Sequence, residues 1–324
     1  MCDIRFIKKT SVSLMLMFII IGSFSGCLDD TKPNDSIEEI IVSLDGKGDY
    51  SSIQNALDAS KDNDTIRVYK GVYIENLLIN TSVYLLGNDV EDTIIDGGSD
   101  TDVIRINEVH VQIHGFTIRN SGKNGKFSDF DAGIEIKSNN ATILNCTIID
   151  NNAGIDIRSD DNIISNCSFI NNSVGMYSIQ AINNKISTNS FEMNKEIGLY
   201  VYYGVKNHID DANSFTANDI ALKIKGSNEN VIVENIFQNN NEGIHVCCGS
   251  LKNTIYHNNF INNSKIHADD LVDGNNWYND VIKEGNYWDD YVGTDENNDN
   301  IGDSSYEISD VREIYDMYPL MMPT

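Results

Sequence analysis

Basic residues are scarce in this chain. Its 324 residues include 23 Lys and Arg against 49 Asp and Glu, which gives a formal net charge of -26 at pH 7. This excess of acid argues against a nucleic-acid partner, because the phosphates would be repelled. It is typical instead of a protein that stays soluble in an extracellular or salty medium.

Cysteine and histidine patterns typical of zinc or copper sites are also scarce. The six cysteines include no Cys-x-x-Cys spacing, which argues against a zinc site. The histidines are scattered, and only His110 and His114 have a spacing that would put two imidazoles on one face of an unbroken strand. A single histidine pair is weak evidence for a copper-binding site.

What the chain does contain is a repeat. Between residues 133 and 265 the phrase Gly-Ile-x-Ile, or a close variant, returns every 21 to 23 residues. It starts at Gly133, Gly154, Gly175, Gly198, Ala221 and Gly243. Short alternating runs separated by Asn, Ser and Gly indicate strands and turns. About three strands per period of ~22 residues predict an all-β solenoid, the parallel β-helix.

Two columns can be traced through the repeats. One is apolar and mostly aromatic: Ile148, Phe169, Phe191, Phe215, Phe237 and Phe260. Two residues before each of these comes the second column: Cys146, Cys167, Asn189, Asn213, Asn235 and Asn258. Because successive coils lie about 4.8 Å apart, the rings can stack and the Asn amides can hydrogen-bond in a ladder.

Four cysteines fall within the solenoid as two pairs. Cys146 and Cys167 occupy equivalent places in adjacent coils, where a Cα separation of about 4.8 Å is compatible with a disulfide. An unbonded buried pair is equally consistent with this placement. Cys247 and Cys248 are adjacent on one predicted strand, so their side chains should point to opposite faces.

The N-terminal segment predicts export. A basic start precedes an apolar stretch over 12–22, and Cys27 follows small residues, as at the lipidation site of a lipoprotein signal. We expect residues 1–27 to be a lipoprotein-type signal peptide and 28–40 a polar tether, with lipid on Cys27 anchoring the protein to the membrane. An uncleaved anchor helix is the alternative.

The solenoid is expected to occupy 41–265, with regular coils over 133–265. An amphipathic pattern over 49–60 predicts a short capping helix with Ser51 or Ser52 as its N-cap. Early coils are expected to include the strands Tyr73–Ile79 and Val109–Ile113. The tail, 266–324, leaves the period and is predicted to be an irregular C-terminal cap.

Three segments resemble known families. Asp45-Gly-Lys-Gly-Asp-Tyr-Ser-Ser-Ile-Gln-Asn-Ala-Leu resembles the entry coil of pectin esterases and other pectin-lyase-like β-helices. The repeats resemble PbH1 repeats of the NosD-like group, and the tail from Gly285 to Asp303 is similar to the ending of NosD-like cell-surface proteins. The resemblance covers nearly all of 40–324 and implies a right-handed, single-stranded β-helix. It also implies carbohydrate binding or cleavage, or, for NosD itself, maturation of a copper site.

The tail contains a pattern typical of a calcium loop. Oxygen donors fall at alternate positions, one of them a backbone carbonyl: Asp295, Asn297, Asp299, Ile301 and Asp303. The segment resembles the first nine positions of an EF-hand-like loop, with Asn300 where glycine is usual. We expect a structural calcium ion here, and a plain acidic turn is the alternative.

The strand that carries Gly-Ile-x-Ile presents two outward positions per coil. If the isoleucines point inward, the outward pairs are Glu135/Lys137, Asp156/Arg158, Tyr177/Ile179, Tyr200/Tyr202, Lys223/Lys225 and His245/Cys247. Aromatic rings pack on sugar faces, and Lys or Arg can hold acidic sugars. The candidate carbohydrate-binding residues are therefore Lys137, Tyr177, Tyr200, Tyr202, Lys223, Lys225 and His245. The resemblance implies that this strand lines a substrate groove, and a solvated sheet face is the alternative.

Carboxylates at the start of this face are candidates for catalysis. Glu135, Asp156, Asp160 and Asp161 come from adjacent coils, with Arg158 beside them. Two carboxylates would suit glycoside hydrolysis, and calcium with a basic residue would suit a lyase. Ser159-Asp160-Asp161 resembles the paired aspartates of polygalacturonases, but the companion Asn-Thr-Asp, Gly-His-Gly and Arg-Ile-Lys motifs are absent.

Three functions remain open at this point. The favoured hypothesis is an exported, surface-anchored β-helix that binds a polysaccharide or supports the cell envelope without catalysis. The second is a calcium-assisted polysaccharide lyase or glycoside hydrolase. The third is a NosD-type copper-maturation factor.

Overall fold

The computed structural model describes residues 39–126, 129–309 and 312–324. The predicted signal peptide, the predicted lipidation site Cys27 and the tether as far as residue 38 lie outside these residues. Within the described ranges, no helix is long and apolar enough to cross a membrane.

The described chain consists of short strands and one helix. The elements up to the first long loop are β1 (Glu39–Val42), α1 (Ile53–Ala59), β2 (Thr65–Val68), β3 (Gly71–Ile74), β4 (Leu77–Ile79), β5 (Tyr84–Gly87), β6 (Thr93–Asp96), β7 (Ile104–Ile106), β8 (Gln112–His114), β9 (Thr117–Arg119), β10 (Gly125–Lys126) and β11 (Asp129–Phe130). The regular coils contain β12 (Ala132–Ile136), β13 (Thr142–Leu144), β14 (Thr147–Ile149), β15 (Ala153–Ile157), β16 (Ile163–Ser165), β17 (Ser168–Ile170), β18 (Val174–Ile179), β19 (Lys185–Ser187), β20 (Ser190–Glu192), β21 (Ile197–Tyr202), β22 (His208–Asp210), β23 (Ser214–Thr216), β24 (Ile220–Lys225), β25 (Val231–Val233), β26 (Ile236–Gln238), β27 (Glu242–Cys247), β28 (Thr254–Tyr256) and β29 (Asn259–Ile261). The C-terminal part contains β30 (Ile266–Asp270), β31 (Tyr287–Trp288), β32 (Tyr306–Ser309) and β33 (Ile314–Asp316).

Three parallel sheets run along the molecule. A ten-stranded sheet has the order β1-β2-β5-β8-β13-β16-β19-β22-β25-β28, and a second has β3-β6-β9-β14-β17-β20-β23-β26-β29-β31. The third, nine-stranded sheet has the order β30-β27-β24-β21-β18-β15-β12-β7-β4. Each coil adds one strand to each sheet, which confirms the all-β parallel solenoid predicted from the repeat.

The interior is a continuous stack of apolar side chains. The predicted aromatic column is confirmed, because Phe169, Phe191, Phe215, Phe237 and Phe260 stack face to face with ring centroids 4.6 to 5.1 Å apart. Trp288 continues the stack at 4.2 Å from Phe260, and Tyr306 follows at 4.2 Å from Trp288. The C-terminal segment therefore covers the open end of the core with aromatic rings.

Asparagine ladders fix the turns between the sheets. The predicted ladder is confirmed: each amide donates to the next through Asn189, Asn213, Asn235, Asn258 and Asn286, with N–O distances of 2.8 to 3.1 Å. Two further ladders were not predicted. One runs through Asn162, Asn184, Asn207, Asn230, Asn253 and Asn275, and the other through Asn172, Asn194, Asn218, Asn240 and Asn263.

In each ladder, the side-chain amide of one Asn donates to the Oδ1 of the Asn in the next coil. The last Asn of a ladder therefore needs another acceptor. Asn286 meets the carboxylate of Asp316, with its backbone N 2.7 Å from Oδ2. Asn275 Nδ2 lies 3.1 Å from Asp270 Oδ2, and Asn263 Nδ2 lies 3.0 Å from His267 Nδ1. The C-terminal segment therefore supplies a hydrogen-bond acceptor to the end of all three ladders.

The N-terminal helix lies where the sequence predicted it. Ser52 is the N-cap, with its Oγ accepting from Asn55 N at 3.3 Å. The carboxylate of Glu75, from the following coil, accepts from the backbone N–H groups of Ile53 and Gln54 at 3.0 and 2.9 Å. Two orphan donors at the start of the helix are thus satisfied by an anion, which the helix dipole also favours.

Several strand boundaries differ from the prediction. The predicted strand Tyr73–Ile79 is broken into β3 and β4, which belong to different sheets. Val109 and His110 lie in a turn, and β8 begins at Gln112. The stack also extends past residue 265, since β30 pairs with β27 and β31 pairs with β29.

The cysteine placement differs from the prediction at one pair. Cys146 and Cys167 are buried and free, and their Sγ atoms lie 3.3 Å from the carbonyls of Leu144 and Ser165. Cys247 and Cys248 were expected to face opposite ways, but their Sγ atoms are 3.1 Å apart. The expectation was wrong because Cys248 leaves the strand with φ 61°, which turns its side chain back toward Cys247.

Candidate functional site

The outer face of the nine-stranded sheet carries the predicted outward residues. The register stacks Arg105, Glu135, Asp156, Tyr177, Tyr200, Lys223, His245 and Asp269 in one column. A second column, two residues further along each strand, includes Ile179, Tyr202, Lys225 and Cys247. We call the part of this face that contains Glu135 and Asp156 the carboxylate end. The part that contains Tyr200, Tyr202, Lys223 and Lys225 is the tyrosine–lysine end.

The carboxylate end brings Glu135 and Asp156 together on adjacent strands, as predicted. Both are almost inaccessible, with Glu135 1% and Asp156 0% exposed. Arg158 Nη2 lies 2.8 Å from Asp156 Oδ2, and Lys137 Nζ lies 3.1 Å from Glu135 Oε1. The two acids are therefore held in ion pairs with the two bases that the sequence had placed beside them.

Two residues that the sequence reasoning missed complete this cluster. Arg105 Nε lies 2.6 Å from Glu135 Oε2, and Arg105 Nη2 lies 2.6 Å from Asp102 Oδ2. Three acids then face three bases, and the charges balance. Arg105 could have been found from alternation, because Ile104 and Ile106 point inward on either side of it.

Burial sets the electrostatics of this end. It raises the pKa of Asp156 to about 6, against a smaller opposing effect of the Arg158 guanidinium. Within the described residues, Asp156 Oδ1 and Tyr177 Oη are buried and have no hydrogen-bond partner. Burial thus favours the protonated form of Asp156 more than that of an exposed carboxyl group.

Asp160 and Asp161 lie apart from this cluster. They occupy the turn after β15, where Asp160 Oδ1 accepts from Ile182 N at 2.8 Å. Asp161 has φ 59°, and its Oδ1 accepts from Asn183 Nδ2. Both carboxylates therefore join this turn to the next coil, and the structure does not bring them onto the outer face with Glu135.

An aromatic cluster separates the two ends. The ring of Phe130, from the hairpin β10–β11, packs edge-on against Tyr177 with centroids 5.3 Å apart. Tyr177 is 0% exposed and Tyr200 is 5% exposed, so neither ring presents a face to solvent. The accessible aromatic surface is instead the half-buried Tyr202 and the exposed Tyr203, whose centroids are 4.4 Å apart.

The tyrosine–lysine end carries positive charge. Lys223 Nζ lies 5.5 Å from the ring centroid of Tyr200, and Lys225 Nζ lies 5.3 Å from that of Tyr202. Both contacts are cation–π interactions, which hold the two ammonium groups side by side on adjacent columns. In a chain with a net charge of -26, this pair is a local concentration of positive charge.

His245 continues the column toward the C-terminus. Its Nδ1 lies 3.3 Å from Asp269 Oδ2 and 3.7 Å from Glu242 Oε2. Glu242 also pairs with Lys265. This end of the face is therefore a mixed-charge region beyond the two lysines.

The predicted calcium loop has the expected bend. Asn298 and Asn300 have φ 60° and 70°, so Asn300 takes the left-handed turn for which glycine is usual. Asp295 Oδ2 accepts from Asn300 N at 2.9 Å, and Asp299 Oδ1 accepts from Ile301 N at 2.9 Å. The carboxylates at loop positions one and five thus accept hydrogen bonds from the backbone of the loop itself.

The last predicted ligand side chain, Asp303, points back toward the start of the loop. Its Oδ2 accepts from Thr294 Oγ1 at 3.0 Å and from Glu296 N at 2.9 Å. These two bonds use both lone pairs of Oδ2, so Oδ1 is the oxygen of Asp303 that could bind a cation. The residue types in this loop are those that calcium prefers, but Asp295, Asp299 and Asp303 do not form a group of close ligand atoms among the described residues.

Copper ligands are less well supported. His110 lies in a turn with φ 59°, so it does not share a strand face with His114. Among the described residues, the one group of three or more His, Cys, Asp and Glu side chains with close ligand atoms is His267, Asp289 and Asp290. That group had not been predicted, because His267 lies on β30 whereas Asp289 and Asp290 follow β31, about twenty residues later in the chain.

Hydrogen bonds leave His267 without a lone pair for a metal. Asn263 Oδ1 accepts from Asn240, so the Nδ2 of Asn263 is the atom that faces His267 Nδ1 at 3.0 Å. An amide nitrogen is a donor, and Nδ1 must therefore be the acceptor. The ring proton then lies on Nε2, which donates to Asp289 Oδ1 at 2.8 Å.

Comparison with known proteins assigns the family. Residues 49–293 match the family described as "Periplasmic copper-binding protein (NosD)". The chain belongs to the NosD family. It is 39% identical over 100 residues to the "Probable ABC transporter binding protein NosD" of Stutzerimonas stutzeri, and 37% identical over 110 residues to that of Pseudomonas aeruginosa. These stretches cover 31% and 34% of this chain but only 22% and 25% of the two relatives.

A solved structure agrees on the fold. The A-module of the mannuronan C-5 epimerase AlgE6 from Azotobacter vinelandii aligns with a TM-score of 0.51 and 16% identity. The alignment covers 66% of this chain and 74% of that module. Family and fold together confirm the expected NosD-like, right-handed parallel β-helix.

Proposed function

We propose that this NosD-family protein is an exported, surface-anchored β-helix that binds an acidic glycan without cutting it. The binding surface is the tyrosine–lysine end of the outer face, formed by Tyr202, Tyr203, Lys223, Lys225 and His245. The observation that carries this proposal is that two ammonium groups of β24, those of Lys223 and Lys225, lie over tyrosine rings of β21 in the preceding coil. Sugar rings can pack on the accessible tyrosines while their carboxylates meet the lysines.

Burial of the carboxylate end favours binding over cleavage. Hydrolysis needs two carboxylates that flank the scissile bond. Glu135 and Asp156 are covered and paired with basic side chains, so a glycan cannot reach them in this conformation. The proposed binding surface lies two to four coils beyond Asp156, on β21, β24 and β27.

Export and anchoring belong to the same proposal. The family is described as periplasmic, which agrees with the export signal predicted over 1–27. Lipid on Cys27 would leave the body tethered at the membrane surface. Replacing Cys27 by Ala should move the protein from the membrane fraction to the soluble fraction, and retention in the membrane would favour the uncleaved anchor helix.

Glycan binding is tested with a charge-matched pair of variants. Wild-type protein is titrated with polygalacturonate, alginate and a neutral glucan, and Lys223→Ala/Lys225→Ala is compared with Lys61→Ala/Lys252→Ala. Lys61 and Lys252 are exposed and do not belong to this sheet. We expect about a tenfold or greater loss for acidic glycans in the first variant only, since each lost charge-assisted contact contributes about 1 kcal/mol or more. Equal affinities for acidic and neutral glycans, or equal losses in both variants, would overturn the proposal.

A calcium-assisted lyase or glycoside hydrolase is the second candidate. It is favoured by the pKa of Asp156, which burial raises to about 6, and by the unpartnered Asp156 Oδ1 and Tyr177 Oη. Incubation with the same polysaccharides and calcium, followed by mass spectrometry, tests it directly. Released oligosaccharides that disappear in Asp156→Asn would make this chain an enzyme.

Copper-site maturation is supported only by the family description. That description names copper, and the matched relatives are several times longer than the matched stretch. The hydrogen bonds of His267 argue against copper binding by the group of His267, Asp289 and Asp290. We propose calcium, held by Asp295, Asn297, Asp299, the Ile301 carbonyl and Asp303, as a structural ion of the C-terminal segment.

A further inference from the structure

Two adjacent thiols lie at the end of the outer face. Cys247 is the last residue of β27 and Cys248 follows it, with their Sγ atoms 3.1 Å apart. Both cysteines are free. Adjacent residues on a regular strand point to opposite faces, so this contact depends on the left-handed conformation of Cys248.

The turn holds the two thiols in this arrangement. Cys248 has φ 61° and Gly249 has φ 82°, so the chain reverses directly after Cys247. Ser250 Oγ donates to the Cys247 carbonyl at 2.8 Å, and Ser250 Oγ also accepts from Ser227 N at 3.2 Å. The preceding coil, through Ser227, and the turn itself therefore both restrain the backbone that brings the sulfurs together.

The two thiols differ in their access to solvent. Cys248 is exposed, whereas Cys247 is 7% exposed. Burial raises the pKa of Cys247 to about 11, although the nearby ammonium groups of Lys223 and Lys225 act in the opposite direction. A reagent in solution will therefore meet Cys248 first, and Cys247 is placed to react second.

We propose that Cys247 and Cys248 form a redox-active dithiol that closes to a disulfide by exchange with a small disulfide. The Cys248 thiolate attacks one sulfur of the reagent and releases one thiolate. The Cys247 thiol loses its proton to solvent, attacks the sulfur of Cys248 in the mixed disulfide and releases the second thiolate. Two protein thiols are oxidised and one external disulfide is reduced, so the electrons balance.

The bond formed in this way is expected to reopen easily. Neighbouring Cα atoms are about 3.8 Å apart, which is shorter than the ~4.4–6.8 Å that disulfides prefer. A disulfide between adjacent residues is therefore strained and is reduced more readily than a relaxed one. This makes the pair a reversible modification site and sets it apart from a structural bridge.

The site adjoins the proposed glycan surface but does not depend on it. Cys247 pairs in register with Lys225, whose ammonium group lies over the ring of Tyr202. Closure of the disulfide would therefore alter the edge of the proposed glycan surface that Lys225 and Tyr202 form. The chemistry of the dithiol is the same whether or not a glycan binds there.

Tryptic peptide mapping tests the proposal on the full chain. Cleavage at Lys225 and Lys252 releases a peptide, 226–252, whose only cysteines are Cys247 and Cys248. The protein is reduced with a phosphine, incubated with oxidised glutathione, alkylated and digested. We expect this peptide to be unalkylated, lighter than its reduced form by two hydrogen atoms and free of glutathione, and renewed reduction should restore both thiols.

Two variants and an internal control make the result decisive. Cys247→Ser removes the second thiol and should leave a persistent glutathione adduct on Cys248. Peptides 138–158 and 159–185 carry the buried Cys146 and Cys167 and should react only after denaturation, which shows that the fold is intact. Wild-type peptide 226–252 that carries a stable glutathione adduct, or two alkyl groups after the exchange, would overturn the proposal.

Discussion

The asparagine ladder that ends on Asp316 leads to a quantitative prediction about the C-terminal cap. Asp316 is fully buried, and its Oδ2 accepts from Asn286 N at 2.7 Å and from Trp288 Nε1 at 3.0 Å. Its Oδ1 accepts from Tyr318 N at 3.1 Å. Replacing Asp316 by Ala removes every one of these acceptors in a single step.

The expected loss follows from the donors that remain. The N–H groups of Asn286 and Trp288 are buried, and each buried donor left without a partner costs about 1–3 kcal/mol. Asn286 Nδ2 keeps the carbonyls of Ile255 and Trp277, so it adds little to this cost. Removal of a buried charge offsets part of the loss. We expect Asp316→Ala to lower the free energy of unfolding of the cap by about 3 kcal/mol.

Tryptophan fluorescence is the appropriate assay. The chain has two tryptophans, Trp277 and Trp288, and both lie at this end of the solenoid, so their emission reports on the cap. With a slope of about 2–3 kcal/mol per molar urea, the midpoint should fall by roughly 1 M. Asp273→Ala, an exposed position in the same segment, is the matched control and should leave the midpoint unchanged.

One result would refute this reasoning. If Asp316→Ala and Asp273→Ala have the same midpoint, the carboxylate does not terminate the ladder. If Asp316→Ala lowered the protection against hydrogen exchange equally in every coil, that would also contradict the reasoning, because each coil of a solenoid contacts only its neighbours. We expect faster exchange in the last coils, around Tyr287 and Trp288, and unchanged exchange near β1.

The pH dependence gives a second readout of the same group. Burial raises the pKa of Asp316 to about 6, against about 3.9 in an unfolded chain. The contribution of this group to stability is therefore fully present below pH ~4 and is lost as the pH rises through ~6. Asp316→Asn should remove this decline, so the difference in unfolding free energy between wild type and variant should change by up to ~3 kcal/mol across that window. A difference that is constant with pH would show that Asp316 does not titrate there.

Three further predictions follow from other parts of the molecule. Phe215→Ala removes one ring from the interior stack and should cost about 3–5 kcal/mol in urea unfolding followed by circular dichroism; a loss below 1 kcal/mol would contradict tight stacking. Asp295→Ala with Asp299→Ala should lower the melting temperature in calcium and leave it unchanged in EDTA, and equal melting curves in calcium would remove the calcium assignment. Asp156→Asn should leave glycan affinity within about twofold in titration calorimetry, because Asp156 is buried outside the binding surface; a large loss would move the binding site to the carboxylate end.

Most of the fold could be predicted from local pattern. The period of 21 to 23 residues defined the coil, and alternation defined which side chains point inward on each strand. The column from Phe169 to Phe260 and the ladder from Asn189 to Asn258 followed from that register alone. The two further asparagine ladders repeat with the same period, so the sequence contains the signal for them as well.

The candidate site was predicted only in part. Glu135 and Asp156 were expected to be neighbours, and they are, because parallel strands place equivalent positions of successive coils side by side. Asp160 and Asp161 were grouped with them by sequence distance, although the turn carries their side chains to a different edge. Tyr177 was expected on an open face and is instead covered by Phe130, which comes from a hairpin outside the repeat.

The amino-acid sequence by itself determined the solenoid, its inward and outward faces and the order of residues along each column. These features repeat with the chain and need only the strand period and the spacing between coils. Tertiary structure alone decided which outward residues are buried, which acceptor ends each ladder and which thiols meet. Burial of Asp156, the contact between Asn286 and Asp316 and the pairing of Cys247 with Cys248 each depend on a distant segment or a single backbone angle, and a periodic pattern contains neither.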